Sequence, residues 1–253
     1  MDLQLRGLNA LVTGGTKGIG LAIARTLAAE GANVALCARD ADAVGKTADA
    51  LKTTGVRAMG AAVDVANGDA LAAFVDEVGQ AFGGLDIVVA NVSALAIGSD
   101  AESWRSEFET DMMGTVNLVN AALPFLYGSK AASIVAISSV SGREIDFAAG
   151  PYGAFKAALV HYIQGLAYQL APRGIRANSV SPGNVYFEGG VWAHIERNDP
   201  KLFAESLALN PTGRMARPQE IANAVAFVAS PAASFMSGAN IVVDGALTRG
   251  VQL

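Results

Sequence analysis

The chain has 253 residues, of which 52% are hydrophobic and 16% are charged, and it carries a formal net charge of −5. This length suits one large α/β domain or two small ones, and the acidic balance excludes the positive footprint of a nucleic-acid-binding protein. A charged fraction well below the usual value of roughly a quarter also indicates extensive contacts between subunits.

Cysteines, histidines and apolar runs narrow the class of protein further. The single cysteine, Cys37, forms no internal disulfide and suits a reducing, cytoplasmic compartment. The two histidines, His161 and His194, do not have metal-ligand spacing, so we predict no metal site. An acid at position 2 argues against a signal peptide, and no run of about 18 apolar residues predicts a membrane span.

The N-terminal segment has the pattern of a dinucleotide-binding unit. An apolar run at 8–13 predicts a strand, T-G-G-T-K-G-I-G at 13–20 predicts a turn, and the periodicity of 21–29 predicts a helix. Glycines in such a turn let the backbone approach a pyrophosphate, whose charge is favoured at the N-terminus of the helix. The spacing G-x-x-x-G-x-G differs from G-x-G-x-x-G, and a turn that binds no phosphate is the alternative. Its position directly after a strand favours cofactor binding.

The residues after the second predicted strand, Asn33–Ala38, indicate which dinucleotide is bound. An acid at this point would bind a ribose hydroxyl, whereas an arginine would bind a 2′-phosphate. Arg39 and then Asp40 follow the strand, and Asp40 is the better candidate for the N-cap of a helix at 41–51. Together with Lys17 in the glycine turn, Arg39 favours the phosphorylated cofactor, NADP(H).

The rest of the chain continues the alternation of strands and helices. Strands are predicted at 56–63, 86–90, 133–139, 175–180 and 240–243, and helices at 67–82, 101–126, 152–171 and 220–229. Pro182-Gly183 opens an irregular region, so we expect a substrate loop at about 184–217. The pattern predicts an α/β fold: a Rossmann-like, doubly wound parallel sheet of about seven strands with helices on both faces. No linker or repeat divides the chain, so residues 1–253 are expected to form one domain.

Three residues around the fifth predicted strand form the candidate catalytic group. Ser139 ends the strand, and Tyr152 and Lys156 lie four residues apart on one face of the next helix. Ionising a phenol at pH 7 costs roughly 4 kcal/mol, and an ammonium at about 4 Å returns up to a similar amount before desolvation. Lys156 is therefore expected to lower the pKa of Tyr152 enough for acid/base catalysis. Tyr and Lys also occur at this spacing by chance on ordinary amphipathic helices, so the other motifs must decide.

The motifs together resemble those of the short-chain dehydrogenase/reductase family over essentially the whole chain, in particular its 3-oxoacyl and carbonyl reductases. The matching elements are T-G-G-T-K-G-I-G at 13–20, Asp64-Val65, Asn91, Ser139, Y-G-A-F-K at 152–156, Ser181-Pro182-Gly183 and V-D-G at 243–245. Each motif alone is modest, but their joint order and spacing are highly specific.

The resemblance implies a role for each matching residue. Tyr152 would be the catalytic acid/base, Ser139 would orient the carbonyl, and Lys156 would bind the nicotinamide ribose. The cofactor phosphates would be held by Gly14, Thr16, Lys17, Gly18, Ile19 and Gly20. Asp64 and Val65 would flank the adenine, Asn91 would lie near the inner ribose, and Pro182, Gly183 and Val185 would hold the nicotinamide end.

The sequence departs from the family pattern at three places. The family's N-N-A-G is here Ala90-Asn91-Val92-Ser93, and the threonine expected five positions after Pro182 is Phe187. The family's fourth catalytic residue, an asparagine whose main-chain carbonyl supports a water in a proton path to the lysine, aligns with Asp111. Near Lys156, Asp111 would favour the charged ammonium; buried alone it would be neutral, and solvated it would have lost this role.

These observations predict an NADP(H)-dependent oxidoreductase that interconverts a ketone and a secondary alcohol. Tyr186, Phe187 and Trp192 are the candidate substrate contacts and indicate a hydrophobic small-molecule substrate, but each fits equally well as packing onto the protein's own core. A 3-oxoacyl-thioester reductase and a non-catalytic dinucleotide sensor are the alternatives. The resemblance also implies a homotetramer formed through the helices after the fourth and fifth strands and through the apolar tail 237–253.

Overall fold

Short strands of apolar residues form one parallel sheet. The computed structural model describes residues 1–250, and seven strands pair in this part of the chain. They are β1 (Asn9–Thr13), β2 (Asn33–Ala38), β3 (Ala58–Ala62), β4 (Ile87–Ala90), β5 (Ser133–Ile137), β6 (Arg176–Pro182) and β7 (Asn240–Val243). The strands β1, β4 and β5 are buried along their whole length, as expected for a parallel sheet that is covered on both faces.

The order of the strands places a crevice near the centre of the sheet. The order is β3-β2-β1-β4-β5-β6-β7, and every neighbouring pair is parallel. The direction of winding reverses between β1 and β4, where Val12 lies opposite Val89. Ligands of open α/β sheets bind beside such a reversal, at the carboxyl ends of the strands. The predicted fold class is confirmed.

Nine α-helices lie within residues 1–250, and those that contribute residues to the two cores cover the faces of the sheet. They are α1 (Gly18–Ala29), α2 (Ala41–Lys52), α3 (Gly68–Phe82), α4 (Ala101–Glu107), α5 (Gly114–Leu126), α6 (Pro151–Leu170), α7 (Val191–Asn198), α8 (Pro200–Ala208) and α9 (Pro218–Ala229). One core includes Ile23 of α1 and Val225 of α9, and the other includes Phe74, Leu118 and Ile163 of α3, α5 and α6. Among the described residues, no helix has the length and apolar character needed to cross a membrane.

Two strand ends differ from the predicted bounds for local reasons. β5 ends at Ile137 rather than Ser139, because Ser139 caps a short 3-10 turn at Val140–Gly142. β6 extends to Pro182 rather than ending at 180, because β7 pairs with it as far as Pro182. Ser139 therefore lies just beyond the carboxyl end of β5, at the edge of the sheet where ligands bind.

The segment predicted to be irregular contains two helices, so this part of the prediction was wrong. Pro200 occupies the first turn of α8, and the carboxylate of Asp199 accepts a hydrogen bond from the backbone N–H of Leu202, at 3.0 Å. The helices α7 and α8 have only eight and nine residues, so tertiary packing must support them. A parallel bridge between Val185 and Ala216 brings the ends of the segment together.

The long helical stretch predicted at 101–126 is interrupted by a change in winding. A π-helical turn at Phe108–Met113 joins α4 to α5. Such turns are rare inside α-helices and frequent at functional sites. Asp111 lies in this turn, Glu107 directly precedes it, and both carboxyl side chains are fully buried.

Candidate active site

The glycine turn between β1 and α1 has the geometry of an anion-binding site. Gly14 and Gly18 have φ angles of +65° and +53°, in the left-handed region that favours glycine. A Cβ atom at Gly20 would lie 2.2 Å from the carbonyl oxygen of Gly14, so only glycine allows the helix and the turn to pack this closely. Because α1 has no side-chain N-cap and no acid in its first turn, its N-terminal N–H groups are available to an anion. These features fit the pyrophosphate of a dinucleotide.

Asn91 joins the end of β4 to this turn. Its side-chain amide donates to the carbonyl oxygens of Thr13 at 3.0 Å and Gly14 at 3.3 Å. Its backbone N–H donates to the hydroxyl of Thr13 at 3.0 Å. The amide of Asn91 thus stabilises the turn itself, and its predicted proximity to the inner ribose stays a prediction.

Two basic side chains were expected to select the cofactor, Lys17 in the glycine turn and Arg39 after β2, and both are exposed. Neither Lys17 nor Arg39 forms an ion pair with another residue within 1–250. Asp40 caps α2, where its carboxylate accepts from the backbone N–H of Ala43 at 3.0 Å, as predicted. Arg39 is consequently the charged group left to interact with a ligand after β2.

The other residues predicted to bind the cofactor line the carboxyl edge of the sheet. Thr16 and Ile19 belong to the glycine turn, Asp64 and Val65 follow β3, and Pro182, Gly183 and Val185 lie at or beyond the end of β6. The side chain of Asp64 is exposed, whereas that of Val65 is buried. Because parallel strands end at the same edge, one extended ligand can contact all of these positions.

Phe187, which replaces the family's threonine, lies against the glycine turn. A Cβ atom at Gly18 would lie 2.5 Å from the Phe187 ring, and one at Gly190 would lie 2.7 Å from it. Phe187 therefore contacts the cofactor side of the crevice. Its ring supplies an apolar contact where threonine would supply a hydrogen bond.

Ser139, Tyr152 and Lys156 come together where β5 meets α6. Pro151 opens α6 and places Tyr152 in the first turn, one turn before Lys156. Nζ of Lys156 lies 5.5 Å from the centre of the Tyr152 ring. The Ser139 hydroxyl is near enough to the phenol to lower the pKa of Tyr152. The predicted trio is assembled at the carboxyl edge of the sheet, where the glycine turn also lies.

The pKa of Tyr152 is raised, so the expectation that Lys156 lowers it below its ordinary value was wrong in its net result. Burial is the largest cause and raises the pKa of the phenol, whereas the ammonium of Lys156 and the hydroxyl of Ser139 lower it. The charge of Lys156 acts in the expected direction but does not outweigh desolvation. Tyr152 is therefore protonated at neutral pH and is ready to donate a proton.

Lys156 is buried and is held by Asp111 and by the end of β5. Its Nζ lies 2.9 Å from Oδ2 of Asp111, and the two side chains are 2% and 0% exposed. Nζ also donates to the carbonyl oxygen of Ile137 at 3.1 Å. Burial lowers the pKa of Lys156, but the charges of Asp111 and Tyr152 raise it, and the net shift is upward. Lys156 is thus a stable cation at neutral pH.

Asp111 makes further contacts that define its orientation. Its Oδ1 accepts from the backbone N–H of Ala94 at 2.8 Å, and its main-chain carbonyl accepts from the hydroxyl of Thr115 at 2.7 Å. The alternative of a solvated aspartate is excluded by its burial. The side chain of Asp111, rather than its carbonyl, faces Lys156, and its part in proton transfer stays a prediction.

Comparison with known proteins agrees with this geometry. A family model described as Enoyl-(Acyl carrier protein) reductase matches residues 14–248. The chain belongs to the short-chain dehydrogenase/reductase family. This membership confirms the predicted resemblance and makes the chain an oxidoreductase of the ketone and alcohol class.

Three similar proteins span nearly the whole chain. An isoepoxydon dehydrogenase of Penicillium expansum is 40% identical over 261 residues, which cover 98% of this chain and 97% of that protein. A 3-oxoacyl-[acyl-carrier-protein] reductase of Vibrio cholerae is 33% identical over 249 residues, which cover 97% of this chain and 99% of that protein. The crystal structure of L-sorbose reductase from Gluconobacter frateurii, complexed with NADPH and L-sorbose, has a TM-score of 0.89 at 29% identity and covers 99% and 100% of the two chains.

This short-chain dehydrogenase/reductase has a short polar chain behind Ser139 that the sequence analysis missed. The hydroxyl of Ser139 lies 3.2 Å from that of Ser141, and Ser141 donates to Oδ2 of Asp146 at 2.6 Å. The backbone N–H of Ser141 also donates to the Ser139 hydroxyl at 3.1 Å. These contacts orient the Ser139 side chain. The closeness of Ser139, Ser141 and Asp146 in the sequence could have indicated this polar chain.

Glu107 was also missed as a candidate functional residue. It lies four residues before Asp111 and is fully buried, and its Oε1 accepts from the backbone N–H of Ala96 at 2.6 Å. The spacing of Glu107 and Asp111 on one helical face could have indicated that the two acids act together. Like charges at this spacing are unfavourable on an isolated helix and ordinarily indicate a solvated surface.

The aromatic residues predicted to contact substrate pack against neighbouring side chains. Trp192 is buried and meets Phe147 edge to face, with 5.6 Å between ring centres. Tyr186 meets Phe203 at 6.1 Å and donates from its hydroxyl to Glu196 at 2.5 Å. Trp192 and Tyr186 therefore pack against other aromatic rings, and their contact with substrate stays a prediction.

Substitution of Asp111 tests the ion pair. Asp111→Asn removes the charge that raises the pKa of both Lys156 and Tyr152 but keeps an acceptor for Ala94. We expect activity to persist, with the pH–rate profile moved to lower pH. Asp111→Ala leaves a buried ammonium unpaired, which costs about 3–5 kcal/mol of folding free energy, and it should lose more activity.

The measurements are kcat/KM from about pH 5 to 10 and unfolding by denaturant. Identical pH profiles for the wild type and both variants would show that Asp111 takes no part in proton transfer.

Proposed function

We propose that this protein is an NADP(H)-dependent oxidoreductase that interconverts a ketone and a secondary alcohol on a hydrophobic small molecule. The observation that carries the proposal is the meeting of Ser139, Tyr152 and Lys156 at the sheet edge that also presents the glycine turn. A phenol, a hydroxyl and a buried ammonium at one place suit proton transfer to a carbonyl oxygen.

The cofactor site uses the glycine turn for the pyrophosphate and exposed basic residues for the adenosine end. The N–H groups at the start of α1 attract the phosphates, and Lys17 and Arg39 suit a 2′-phosphate because neither forms an ion pair within residues 1–250. The similar L-sorbose reductase is complexed with NADPH, which supports this assignment. When bound, the reduced cofactor supplies the hydride.

The protein's own side chains handle the proton and the carbonyl oxygen. Tyr152, protonated because burial raises its pKa, donates a proton to the oxygen as it gains negative charge. Ser139, oriented by Ser141, holds the same oxygen by a hydrogen bond. Lys156 stabilises the phenolate that remains, because its ammonium lowers the pKa of the phenol. This arrangement favours reduction at neutral pH.

The substrate side of the crevice is apolar. Phe147 and the 184–217 segment provide aromatic rings. Leu95 and Ile97 are half exposed and lie in the loop after β4, next to Ala94, which donates a hydrogen bond to Asp111. Burial of such surface against an apolar ligand is favourable. The isoepoxydon dehydrogenase among the relatives supports a small-molecule ketone or alcohol as the substrate class.

A 3-oxoacyl-thioester reductase is the second candidate, supported by the carrier-protein reductase among the relatives. A carrier protein is acidic and needs accessible basic residues near the mouth of the site. Three of the basic residues in this region are already paired with acids. They are Arg197 with Glu188, Lys201 with Glu205 at 3.9 Å, and Arg214 with Glu220 at 2.6 Å. We therefore favour a free small molecule as the substrate.

A non-catalytic dinucleotide sensor is disfavoured, because it would not need the Ser139, Tyr152 and Lys156 arrangement.

A homotetramer in the cytoplasm completes the proposal. Trp104 and Phe108 remain partly exposed while they pack against Phe155 of α6, each with 5.9 Å between ring centres. Tyr168 of α6 is 87% exposed. An apolar surface of this kind, on the helices after β4 and β5, suits contact between subunits. Residues 251–253 of the proposed C-terminal contact lie outside the described residues. Cys37 is buried and free, as suits a reducing compartment.

Tyr152→Phe tests the assigned acid. The substitution removes the phenolic oxygen and keeps the ring, so we expect turnover to be nearly abolished while NADPH still binds. NADPH oxidation with a panel of cyclic and linear ketones measures turnover, and Tyr168→Phe, an exposed tyrosine on the same helix, is the control. A Tyr152→Phe variant that keeps more than about a tenth of the wild-type rate, a loss below roughly 1.4 kcal/mol, would exclude Tyr152 as the acid.

Arg39→Asp tests the choice of cofactor. It replaces attraction for a 2′-phosphate by repulsion and offers a carboxylate to ribose hydroxyls. We expect the ratio of kcat/KM for NADPH over NADH to fall by about tenfold or more, a change of roughly 1.4 kcal/mol. Lys46→Asp, at an exposed position of α2, is the matched control. An unchanged ratio in Arg39→Asp rejects this role for Arg39.

Light scattering at micromolar concentration tests assembly. We expect a mass four times that of the 25.8 kDa chain. Tyr168→Glu should lower that mass, because a charge would be buried at an apolar contact. A monomeric mass for the wild-type protein would refute the tetramer.

A further inference from the structure

Two buried carboxyl groups lie behind Lys156, whereas one would be enough to pair with it. Glu107 and Asp111 are both 0% exposed. One oxygen of each is bound to the loop after β4: Oε1 of Glu107 accepts from Ala96, and Oδ1 of Asp111 accepts from Ala94. We call Glu107 and Asp111 the buried diacid.

The second oxygen of each carboxyl has no hydrogen-bond donor within residues 1–250. Among the described residues, Oε2 of Glu107 and Oδ2 of Asp111 have no hydrogen-bond partner, apart from the ion-pair contact of Oδ2 with Lys156. Two ionised carboxylates have no O–H donor between them. A single proton on one of the two carboxyls supplies the O–H donor that two carboxylates lack.

The charge count leads to the same conclusion. Two carboxylates and one ammonium carry a net charge of −1 in a site closed to water, and an uncompensated buried charge is costly. One shared proton makes the group neutral. Two buried carboxylates that repel each other cannot easily both ionise, and the charge of Asp111 raises the pKa of Glu107.

The surroundings of Glu107 agree with a shared proton. Burial, followed by the charge of Asp111, raises the pKa of Glu107 to about 7. The titratable groups that face it are Asp111 on the same helical segment and Lys156 and Tyr152 on α6. The loop after β4 faces it with backbone N–H groups, and α5 carries no ionisable side chain.

We propose that Glu107 is a positioning residue that shares one proton with Asp111 behind Lys156, and that release of this proton sets the pH range over which Tyr152 exchanges its own. The second half of this proposal rests on the proposed function, in which Tyr152 is the acid/base.

The sign of the effect follows from charge. The carboxylate of Glu107 raises the pKa of Tyr152, so ionisation of Glu107 keeps the phenol protonated to higher pH. Reduction of a ketone, which needs the protonated phenol, is then maintained to higher pH. Oxidation of an alcohol, which needs the phenolate, is delayed to higher pH. Removing the charge at Glu107 moves both limits to lower pH.

Infrared titration tests the shared proton without any turnover. The carbonyl stretch of a protonated carboxylic acid is followed in the wild type, in Glu107→Gln and in Glu109→Gln, which removes an exposed acid from the π-helical turn. We expect a buried acid that titrates near pH 7 in the wild type and in Glu109→Gln, and its loss in Glu107→Gln. A wild type with no carboxyl that titrates in this range overturns the proposal, whether or not the variants fold.

The pH–rate profiles test the effect on Tyr152. Glu107→Gln keeps an acceptor for Ala96 and offers a donor to Asp111, so the loop contacts are retained. We expect the alkaline limb of reduction and the rising limb of oxidation to move down by about half a pH unit or more, with KM nearly unchanged. Glu109→Gln should superimpose on the wild type.

A purely structural role would lower kcat equally at every pH, and that result overturns the assignment of Glu107. An infrared signal as expected, combined with no turnover of any ketone or alcohol in the wild type, would reject the proposed function and leave the shared proton established.

Discussion

The buried ion pair between Lys156 and Asp111 is the interaction on which the active site depends. Removing two charges from water costs several kcal/mol per ion, and their attraction offsets this only when the geometry is close and the remaining polar atoms are bonded. Here the ions are 2.9 Å apart, Ile137 accepts from the ammonium, and Ala94 donates to the carboxylate. Three separate parts of the chain must therefore meet for Lys156 to remain charged beneath Tyr152.

The π-helical turn links this charge to the shape of the crevice. It places Asp111 and Glu107 so that their carboxylates hold the backbone N–H groups of Ala94 and Ala96. Between them Leu95 has a φ angle of +53° and an exposed side chain, a strained conformation for a leucine that the two flanking hydrogen bonds maintain. The same two acids thus raise the pKa of Tyr152 and hold the backbone on both sides of Leu95.

The cofactor side of the crevice is organised by close backbone contacts instead. Glycines at 14, 18 and 20 allow α1 to approach the end of β1, and the Asn91 amide holds the turn from β4. Phe187 lies against this turn from the 184–217 segment, so the segment that we propose to contact substrate also touches the glycine turn. This contact gives a physical reason for cofactor and substrate to influence each other's binding.

The sequence by itself determined the features that depend on local pattern. Apolar runs and helical periodicity identified the seven strands and the main helices, because strand and helix patterns are local properties. The spacing of Ser139, Tyr152 and Lys156 identified the trio only together with the order of the other motifs along the chain. Tertiary structure alone decided the helices α7 and α8, which are too short to form without packing. It also decided the pairing of Glu107 and Asp111 with Lys156 and the raised pKa of Tyr152. Those properties follow from desolvation, and only the packing of distant segments determines which charges lose contact with water.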